Sequence, residues 1–420
     1  VALLLLGQLK SPRAETEKAL TFQMGAFRSD MASLWRNVSV MGIHLSEDIP
    51  ALIEEQTSDF SSLNGDVAAV GALQETMLEP LCQYVRQTDC SGAFIMLGAS
   101  LSSDPAVDSH AGLYVQRSNA EHTTSDLLLY RGMADIGRQH RVMPHRKWAQ
   151  EFCPADFPGL ADQLEAASAP IGRACRTTEL LTLPGTTEQA ILLSGPMVGA
   201  DGRVYGLCGF SVNQTYFSAH HAQPSAVSNL ACVLSDAAEG LDVQRGLLTY
   251  PTGDFCFVPD ELLENGSLRS GLTAFKGTEL SFVGISEPFT VADGDETPHA
   301  LTVLIPKSTY DRIVLKSVAE IAAVLMLIYI AFRFDLFSGI AAVVGLLHDV
   351  LIMISFMVIL RSVIQMNSSF IAAMLTIVGY SINNTIVIFD RIRENNKKPA
   401  LAGQPRSEIV ELSVKESLGR

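Results

Sequence analysis

The strongest constraint on this chain is a set of three long apolar runs, all of which lie after residue 312. They span about 318–332, 337–360 and 369–389, whereas residues 1 to about 310 have the mixed composition of a globular protein. A helix needs about 20 consecutive apolar residues to cross the hydrocarbon core of a bilayer. The second and third runs reach that length alone, and the first reaches it with its upstream flank, residues 313–315. The sequence therefore predicts a soluble body followed by an all-α transmembrane bundle of three helices over 315–390.

Basic residues set the expected orientation of these helices. The third run is followed by Arg391, Arg393, Lys397 and Lys398, whereas the loop before it holds Arg361 alone. Because loops rich in Lys and Arg remain in the cytoplasm, we expect residues 391–420 to form a truncated cytoplasmic segment. Counting back through three spans, the body before about residue 312 is expected to be extracytoplasmic.

Polar residues interrupt the second and third runs. His348 and Asp349 lie about a dozen residues into the second run, near mid-bilayer for a helix that rises about 1.5 Å per residue. An ionisable group at that depth is costly and normally faces a protein interior or a water-filled path, so we predict a transport pathway here. The third run carries a polar stripe that either lines this pathway or hydrogen-bonds between packed helices: Ser381, Asn383, Asn384 and Thr385.

Three stretches of this region carry a family resemblance. "LMLIYIAFRF", "LLHDVLI" and above all "AAMLTIVGYSINNTIVIFDRIREN" resemble the SecF family of bacterial protein-export membrane proteins, over about 318–420. The resemblance implies a resistance-nodulation-division type membrane domain that couples the proton gradient to protein export and has no enzyme activity. It also implies a multi-pass protein of the bacterial plasma membrane. The implied partners are a SecD-like subunit, the SecYEG channel and exported polypeptides.

The resemblance assigns roles to individual residues, with one departure. The acidic residue that is frequent in the family's "SIN(D)TIV" motif falls on Asn384, and an amide does not take up or release a proton in the physiological range. Asp349 is then the remaining deep carboxylate. The cytoplasmic end of the motif is matched by a charged group that is either functional or a solvated salt-bridge cluster: Asp390, Arg391, Arg393 and Glu394.

The body combines one long helix with several strands. Apolar residues from Leu20 to Leu45 recur at spacings of three and four, which predicts a packed helix that Asp48 and Pro50 end or kink. Strand-like runs follow at 92–97, 111–117, 189–198, 199–212, 279–291 and 299–306. Turn residues such as Asp201 and Gly202, at the start of the run 199–212, indicate antiparallel hairpins. The predicted class is therefore α+β.

This order of elements resembles the double Cache (PAS-like) sensor domains of bacterial receptors, over about 15–314. The resemblance is carried by "ILLSGPMVGADGRVYGLCGFSVNQTYF" and "LTVLIPKSTYDRIV", and it implies a small-molecule ligand. Within "HRKWAQEF", Arg146 offers a cation for a carboxylate and Trp148 a ring for packing, so both are candidate ligand-binding residues. The alternative is that they lie on an ordinary surface helix.

Several classes of function are disfavoured by the sequence. The net charge of −15 argues against nucleic acid as a partner, because phosphate binding needs a basic surface. Seven cysteines without CxxC spacing predict no metal site, and they form either one or two disulfides or buried free thiols. Without a Ser/His/Asp set, an HExxH motif or a phosphate loop, we expect no catalytic residues and no cofactor.

Two hypotheses follow for the whole chain. The first is a SecF-like export subunit that carries a sensor-like body. The alternative is an extracytoplasmic Cache sensor of a transmembrane receptor or transcription regulator, joined to SecF sequence by fusion or gene-model error. Because the chain starts with "VALLLLG" rather than Met, we interpret residues 1–14 as the remnant of a membrane helix or signal, and the chain as a fragment.

Overall fold

A computed structural model describes residues 12–57, 59–104, 107–167, 175–225, 227–236, 241–243, 245–251, 257–259, 261–267, 271–291, 297–333, 336–359, 368–401 and 403–418. The described residues fall into two compact units, here called the body (Ala14–Tyr310) and the helical unit (Asp311–Arg420, to which Pro12 and Arg13 are also assigned). Residues 1–11 of the expected membrane remnant, and the loop with Arg361, lie outside the described residues.

The body begins with one helix of 45 residues, α1 (Pro12–Gln56). Most of the predicted stripe is buried, with Met41 half-buried. The helix continues through Asp48 and Pro50, so the expectation that it ends there was wrong. Ile49 and Ile53, on either side of the proline, are both fully buried. Their burial offsets the loss of one backbone hydrogen bond at Pro50, at roughly 1.5–3 kcal/mol per buried aliphatic side chain.

Further helices and strands of the body follow in chain order. The helices are α2 (Val67–Gln87), α3 (Ala134–Gln139), α4 (Leu160–Ala167) and α5 (Gln214–His220). The strands of the first sheet are β1 (Gly92–Leu97), β2 (Gly112–Arg117), β3 (Leu127–Arg131), β4 (Met143–Ala149), β5 (Arg176–Thr177), β6 (Leu181–Thr182), β7 (Gln189–Val198) and β8 (Val204–Asn213). The strands of the second sheet are β9 (Ala231–Asp236), β10 (Leu241–Asp242), β11 (Gly246–Thr249), β12 (Glu261–Ser267), β13 (Thr273–Lys276), β14 (Ser281–Phe289) and β15 (His299–Pro306).

The two sheets are mainly antiparallel, and each has its own core. The first has the order β4-β3-β2-β1-β8-β7-β5, with β6 also paired to β7, and the second has the order β10-β12-β13-β14-β15-β9-β11. Aromatic residues such as Phe94, Tyr114 and Phe152 dominate the first core, whereas Phe275 and Phe282 lie in the second. The α+β class with a long first helix agrees with the sequence prediction.

The hairpin of β7 and β8 forms as predicted. Its register runs from Ala190 opposite Asn213 to Val198 opposite Val204. Gly202 has a φ of +84°, in the left-handed region that favours glycine. The Asp201 carboxylate accepts a hydrogen bond from the Arg203 backbone N–H at 2.9 Å. Both residues are turn residues, as the sequence analysis expected.

The described cysteines are free thiols and most are buried. Cys82, Cys90, Cys208 and Cys232 are buried, Cys175 is half-buried and Cys153 is exposed. Burial raises the pKa of Cys82 to about 11 and that of Cys232 to about 12, so these thiols react slowly at neutral pH. Cys256 lies outside the described residues.

His110 makes the stability of the body sensitive to acid. Burial lowers the pKa of His110 below its ordinary value of 6.5. The unfolded chain therefore binds this proton more readily, and the contribution to stability present above pH 6.5 is lost as the pH falls toward the folded-state pKa. We expect the melting temperature, followed by tryptophan fluorescence, to fall as the pH drops below the ordinary histidine pKa of 6.5, and less steeply in His110→Gln. His122→Gln, at an exposed site, is the matched control; equal slopes in both variants would contradict the prediction.

The helical unit contains three long helices and one shorter one: α6 (Lys307–Arg333), α7 (Leu336–Ile359), α8 (Ser368–Asn395) and α9 (Arg406–Leu418). Among the described residues, one segment is long and apolar enough to cross a membrane by length and composition. It is Ser338–Phe356 in α7, with a mean hydropathy of 2.1 and 11% of it buried. The other two helices carry more polar residues, including Lys316 and Glu320 in α6. Three spans therefore remain a prediction, supported in part.

Candidate polar site between two apolar helices

Helices α7 and α8 pack through a small apolar cluster. Val378 and Ile382 are buried, and four half-buried aliphatic residues pack against them: Val343, Leu346, Val350 and Ile386. The members on each helix are three or four residues apart, which places them on one face. This contact brings the polar residues beside the cluster into register.

The deep carboxylate predicted from the sequence lies at this contact. The Ser381 hydroxyl of α8 donates a hydrogen bond of 2.5 Å to Asp349 Oδ2 of α7. His348 Nδ1 lies 3.2 Å from the other carboxylate oxygen, Oδ1. The side chains of His348 and Asp349 are 69% and 44% exposed, so the pair is accessible from outside the helix contact. The Thr385 hydroxyl donates back to the Ser381 carbonyl at 2.9 Å.

The two asparagines of the stripe are both exposed, and they point in different directions from Ser381. With about 100° per residue, Asn383 lies about 160° around α8 from Ser381, on the opposite side, whereas Asn384, three residues on, lies about 60° from it. The hydrogen bonds of the site join His348, Asp349 and Ser381. Neither asparagine takes part in these contacts.

The charged group that follows the motif lies on the last turns of α8. Arg391 Nη1 lies 2.8 Å from Glu394 Oε2, and Arg391 Nε lies 3.1 Å from Glu416 Oε2 of α9. Asp390 is half-buried and Arg393 is exposed. Glu416 was not predicted from the sequence. Its signal was only an acidic residue in a helix of mixed charge.

In the body, Arg146 and Trp148 lie on a strand rather than on a surface helix, so the alternative that placed them on a helix was wrong. β4 pairs in parallel with β3, where Leu128 faces Met143 and Leu129 faces Pro144. As an edge strand, β4 tolerates the proline. Arg146 is exposed and Trp148 is 37% exposed. The indole N–H of Trp148 donates a hydrogen bond of 2.8 Å to the Gly132 carbonyl.

A buried arginine near this strand was missed from the sequence. Arg131 is 2% exposed, and its guanidinium lies 4.2 Å from the centroid of the Tyr130 ring and 5.3 Å from that of Phe157. Arg131 Nη1 donates a hydrogen bond of 2.8 Å to the Tyr130 carbonyl, and Arg131 Nη2 lies 4.0 Å from Asp156 Oδ2. No motif marks such a residue, because a buried and an exposed arginine look alike in sequence.

A polar cleft of about 940 Å³ opens elsewhere in the body. Its lining includes both cations and carboxylates: Asp156, Asp162, Arg176, Glu179 and Arg245. Arg245 is paired with Glu179, and its Nε lies 3.6 Å from Asp236 Oδ2. Arg146 and Trp148 are not among the lining residues. Within the described ranges, no group of three or more His, Cys, Asp or Glu side chains could hold a metal ion.

Comparisons with known sequences identify relatives of the helical unit. The family model "Protein export membrane protein SecD/SecF, C-terminal" matches residues 311–420. The protein translocase subunit SecF of Gemmatimonas aurantiaca is 48% identical over 100 residues, 24% of this chain and 29% of that protein. The SecF subunit of Alicyclobacillus acidocaldarius is 30% identical over 233 residues, 54% of this chain and 72% of that protein. The chain thus spans less than a third of the first relative and more than two thirds of the second.

The longer of these alignments extends the likeness beyond the region expected from the sequence. It covers 233 residues and so begins well before residue 311. The likeness to SecF therefore includes part of the body.

Comparison of structures gives a second likeness, to ligand-binding domains of chemoreceptors. The match to the ligand-binding domain of the Pseudomonas fluorescens chemoreceptor CtaA, in complex with L-serine, covers 70% of this chain and 99% of the CtaA domain. The sequence identity is 13% and the TM-score is 0.39. The periplasmic sensory domain of the Campylobacter jejuni chemoreceptor Tlp1 covers 70% and 96%, at 10% identity and a TM-score of 0.41.

Proposed function

We propose, from the premise that this chain belongs to the SecF family of protein translocase subunits, that its helical unit takes part in proton-driven protein export. The observation that carries the proposal is the Asp349 carboxylate, held by the Ser381 hydroxyl between two apolar helices. A carboxylate within an apolar helix is costly and is typical of proton and ion pathways. We assign Asp349 as the proton carrier, Ser381 as its hydrogen-bond donor and His348 as a neighbouring proton-exchange group.

The partners proposed for this activity are a SecD-like subunit, the SecYEG channel and exported polypeptides. Support comes from the apolar side chains that α7 leaves exposed, among them Ile340, Val344, Leu347 and Leu351. Such a surface needs lipid or the helices of a partner against it. We further propose that α6, α7 and α8 all span the plasma membrane and that the body is extracytoplasmic.

The topology can be tested with a thiol that the chain already carries. Cys153 is exposed, so a membrane-impermeant maleimide should label it in intact spheroplasts. Gln404→Cys, at an exposed site beyond α8, should be labelled in a Cys153→Ser background only after permeabilisation. Labelling of position 404 in intact spheroplasts, with protection of Cys153, would place the body in the cytoplasm and refute the topology.

The export function itself can be tested in cells of the source organism. A strain lacking codons 311–420 should mature a pulse-labelled secreted protein more slowly than the wild type. An ionophore should slow the wild type and leave the deletion strain nearly unchanged, because the gradient-dependent step is already lost. Equal ionophore sensitivity in both strains would count against the proposal.

A second candidate function is the sensing of a small polar molecule by the body. The cleft favours it, because the lining places the Arg245 guanidinium beside several carboxylates, and mixed charges of this kind orient small polar ligands. Arg146 and Trp148 remain the ligand-binding candidates from the sequence. A ligand at 100 times its Kd should stabilise the folded chain by about 2.7 kcal/mol. A thermal-shift screen of the full chain against amino acids and other small acids tests this; no hit from folded protein would reject it.

A further inference from the structure

The contact between the C-terminal end of α8 and the helix α9 is built around a fully buried amide. Asn395, the last residue of α8, is 0% exposed. Its Nδ2 donates hydrogen bonds to Ser413 Oγ at 2.9 Å and to Glu416 Oε2 at 3.1 Å, both on α9. Both N–H bonds of the amide are therefore directed to one partner helix.

Neighbouring residues add further hydrogen bonds to this contact between α8 and α9. The Ser413 hydroxyl donates to the Ile409 carbonyl at 2.6 Å, which leaves its oxygen to accept from Asn395. Glu416 also receives Arg391 Nε at 3.1 Å. The amide donors are satisfied in one geometry, whereas the buried Oδ1 of Asn395 has no hydrogen-bond partner among the described residues. A shift between the two helices would leave the donors unpaired as well, so these two hydrogen bonds favour one register.

Asn395 lies on the same side of α8 as Ser381 of the polar site. Ser381 and Asn395 are 14 residues apart, which corresponds to about 21 Å of rise, nearly four turns, and directions that differ by about 40°. A rotation or axial shift of α8 that breaks the contacts of Asn395 would therefore also move the Ser381 hydroxyl relative to Asp349.

We infer that Asn395 is a positioning residue for the polar site. Through its hydrogen bonds to α9, Asn395 sets the rotation and the axial position of α8, and so holds Ser381 within hydrogen-bond distance of Asp349. This inference rests on the proposed export function for its biological meaning. Its geometric content is separate from export: the state of the α8–α9 contact controls the α7–α8 pairing.

The test uses a cross-link that reports the pairing directly. In the full chain in membranes, Asp349→Cys with Ser381→Cys replaces two side chains in contact, and the fraction of the 349–381 disulfide after mild oxidation is read by peptide mass spectrometry. Asn395→Asp would set two carboxylates against each other at Glu416 and should lower that fraction at least about threefold. Adding Glu416→Gln restores a donor–acceptor pair with reversed polarity and should recover most of the fraction.

Each outcome decides the inference. Loss in Asn395→Asp with recovery in the double variant supports it, and the recovery excludes simple misfolding. An unchanged fraction in Asn395→Asp, or a loss that Glu416→Gln does not repair, overturns it. Because the cross-link does not depend on transport, the positioning role can hold even if the export function fails. If both hold, Asn395→Asp in the otherwise unaltered chain should reduce gradient-dependent export, and Glu416→Gln should restore it.

Discussion

Asp349→Asn is expected to remove most of the proton-gradient dependence of export, whereas Asn384→Ala is expected to leave it nearly intact. Asparagine has almost the shape of aspartate, and its Oδ1 can still accept the hydrogen bond that Ser381 now donates to the carboxylate. It cannot take up or release a proton near neutral pH. The packing of α7 against α8 should therefore survive while the proton-carrying group is lost.

The expected size of the effect is at least on the order of a hundredfold in the gradient-driven rate, the low end for a positioned proton-transfer group. Pulse-chase maturation of a secreted protein, with and without an ionophore, measures it. Ser381→Ala should fall between the two variants, since it removes the donor but keeps the carboxylate. The exposed position of Asn384 makes Asn384→Ala a matched control in the same helix pair. Small and equal effects of Asp349→Asn and Asn384→Ala would exclude a pathway through Asp349.

The parts of this structure that the sequence predicted are those that depend on local pattern. The strands at 189–198 and 299–306 have the predicted bounds, because apolar residues and turn residues lie next to each other in the chain. Asp349 stood out for a similar reason, since a lone carboxylate inside an apolar run is unusual whatever its partner. Its contact with Ser381 connects two such segments, which the sequence could only suggest.

The parts that were missed depend on contacts between distant residues. Asn395 meets Ser413 and Glu416 across an intervening turn and a short helix, and an asparagine at a helix end reads as an ordinary cap. β4 was not predicted as a strand, because most of its residues are exposed or charged and show no strand-like pattern. It is a strand because it pairs with β3. Helix α1 continues beyond Pro50 because of burial at Ile53, and a local rule for proline does not include that burial.

Arg117→Met is expected to give the largest loss of stability in the body, about 3–5 kcal/mol. Arg117 lies on β2 and is 6% exposed. Its Nε donates to the Cys90 carbonyl at 2.9 Å, its Nη1 to the Thr123 carbonyl, and its Nη2 to the Val85 carbonyl at 2.5 Å. Val85 belongs to the last turn of α2, whose carbonyls have no partner within the helix. One guanidinium thus caps a helix and joins it to the first sheet.

Methionine keeps the apolar stem of the side chain but removes the guanidinium donors of these carbonyls, and among the described residues the Val85 carbonyl keeps only the weak Cys90 thiol donor at 3.9 Å. Desolvated carbonyls are what make the change costly. Both tryptophans, Trp35 and Trp148, lie in the body. Urea denaturation of the full chain in detergent, followed by tryptophan fluorescence, therefore reports on this unit.

Arg138→Met is the matched control, since Arg138 is 58% exposed and pairs with Asp135 on the surface; it should change stability by less than about 0.5 kcal/mol. Arg117→Lys should be intermediate, because a single ammonium cannot reach all of the carbonyls that the planar guanidinium serves. An unchanged unfolding midpoint in Arg117→Met would show that the carbonyls find water or other donors, and that α2 is held to the sheet by apolar packing alone.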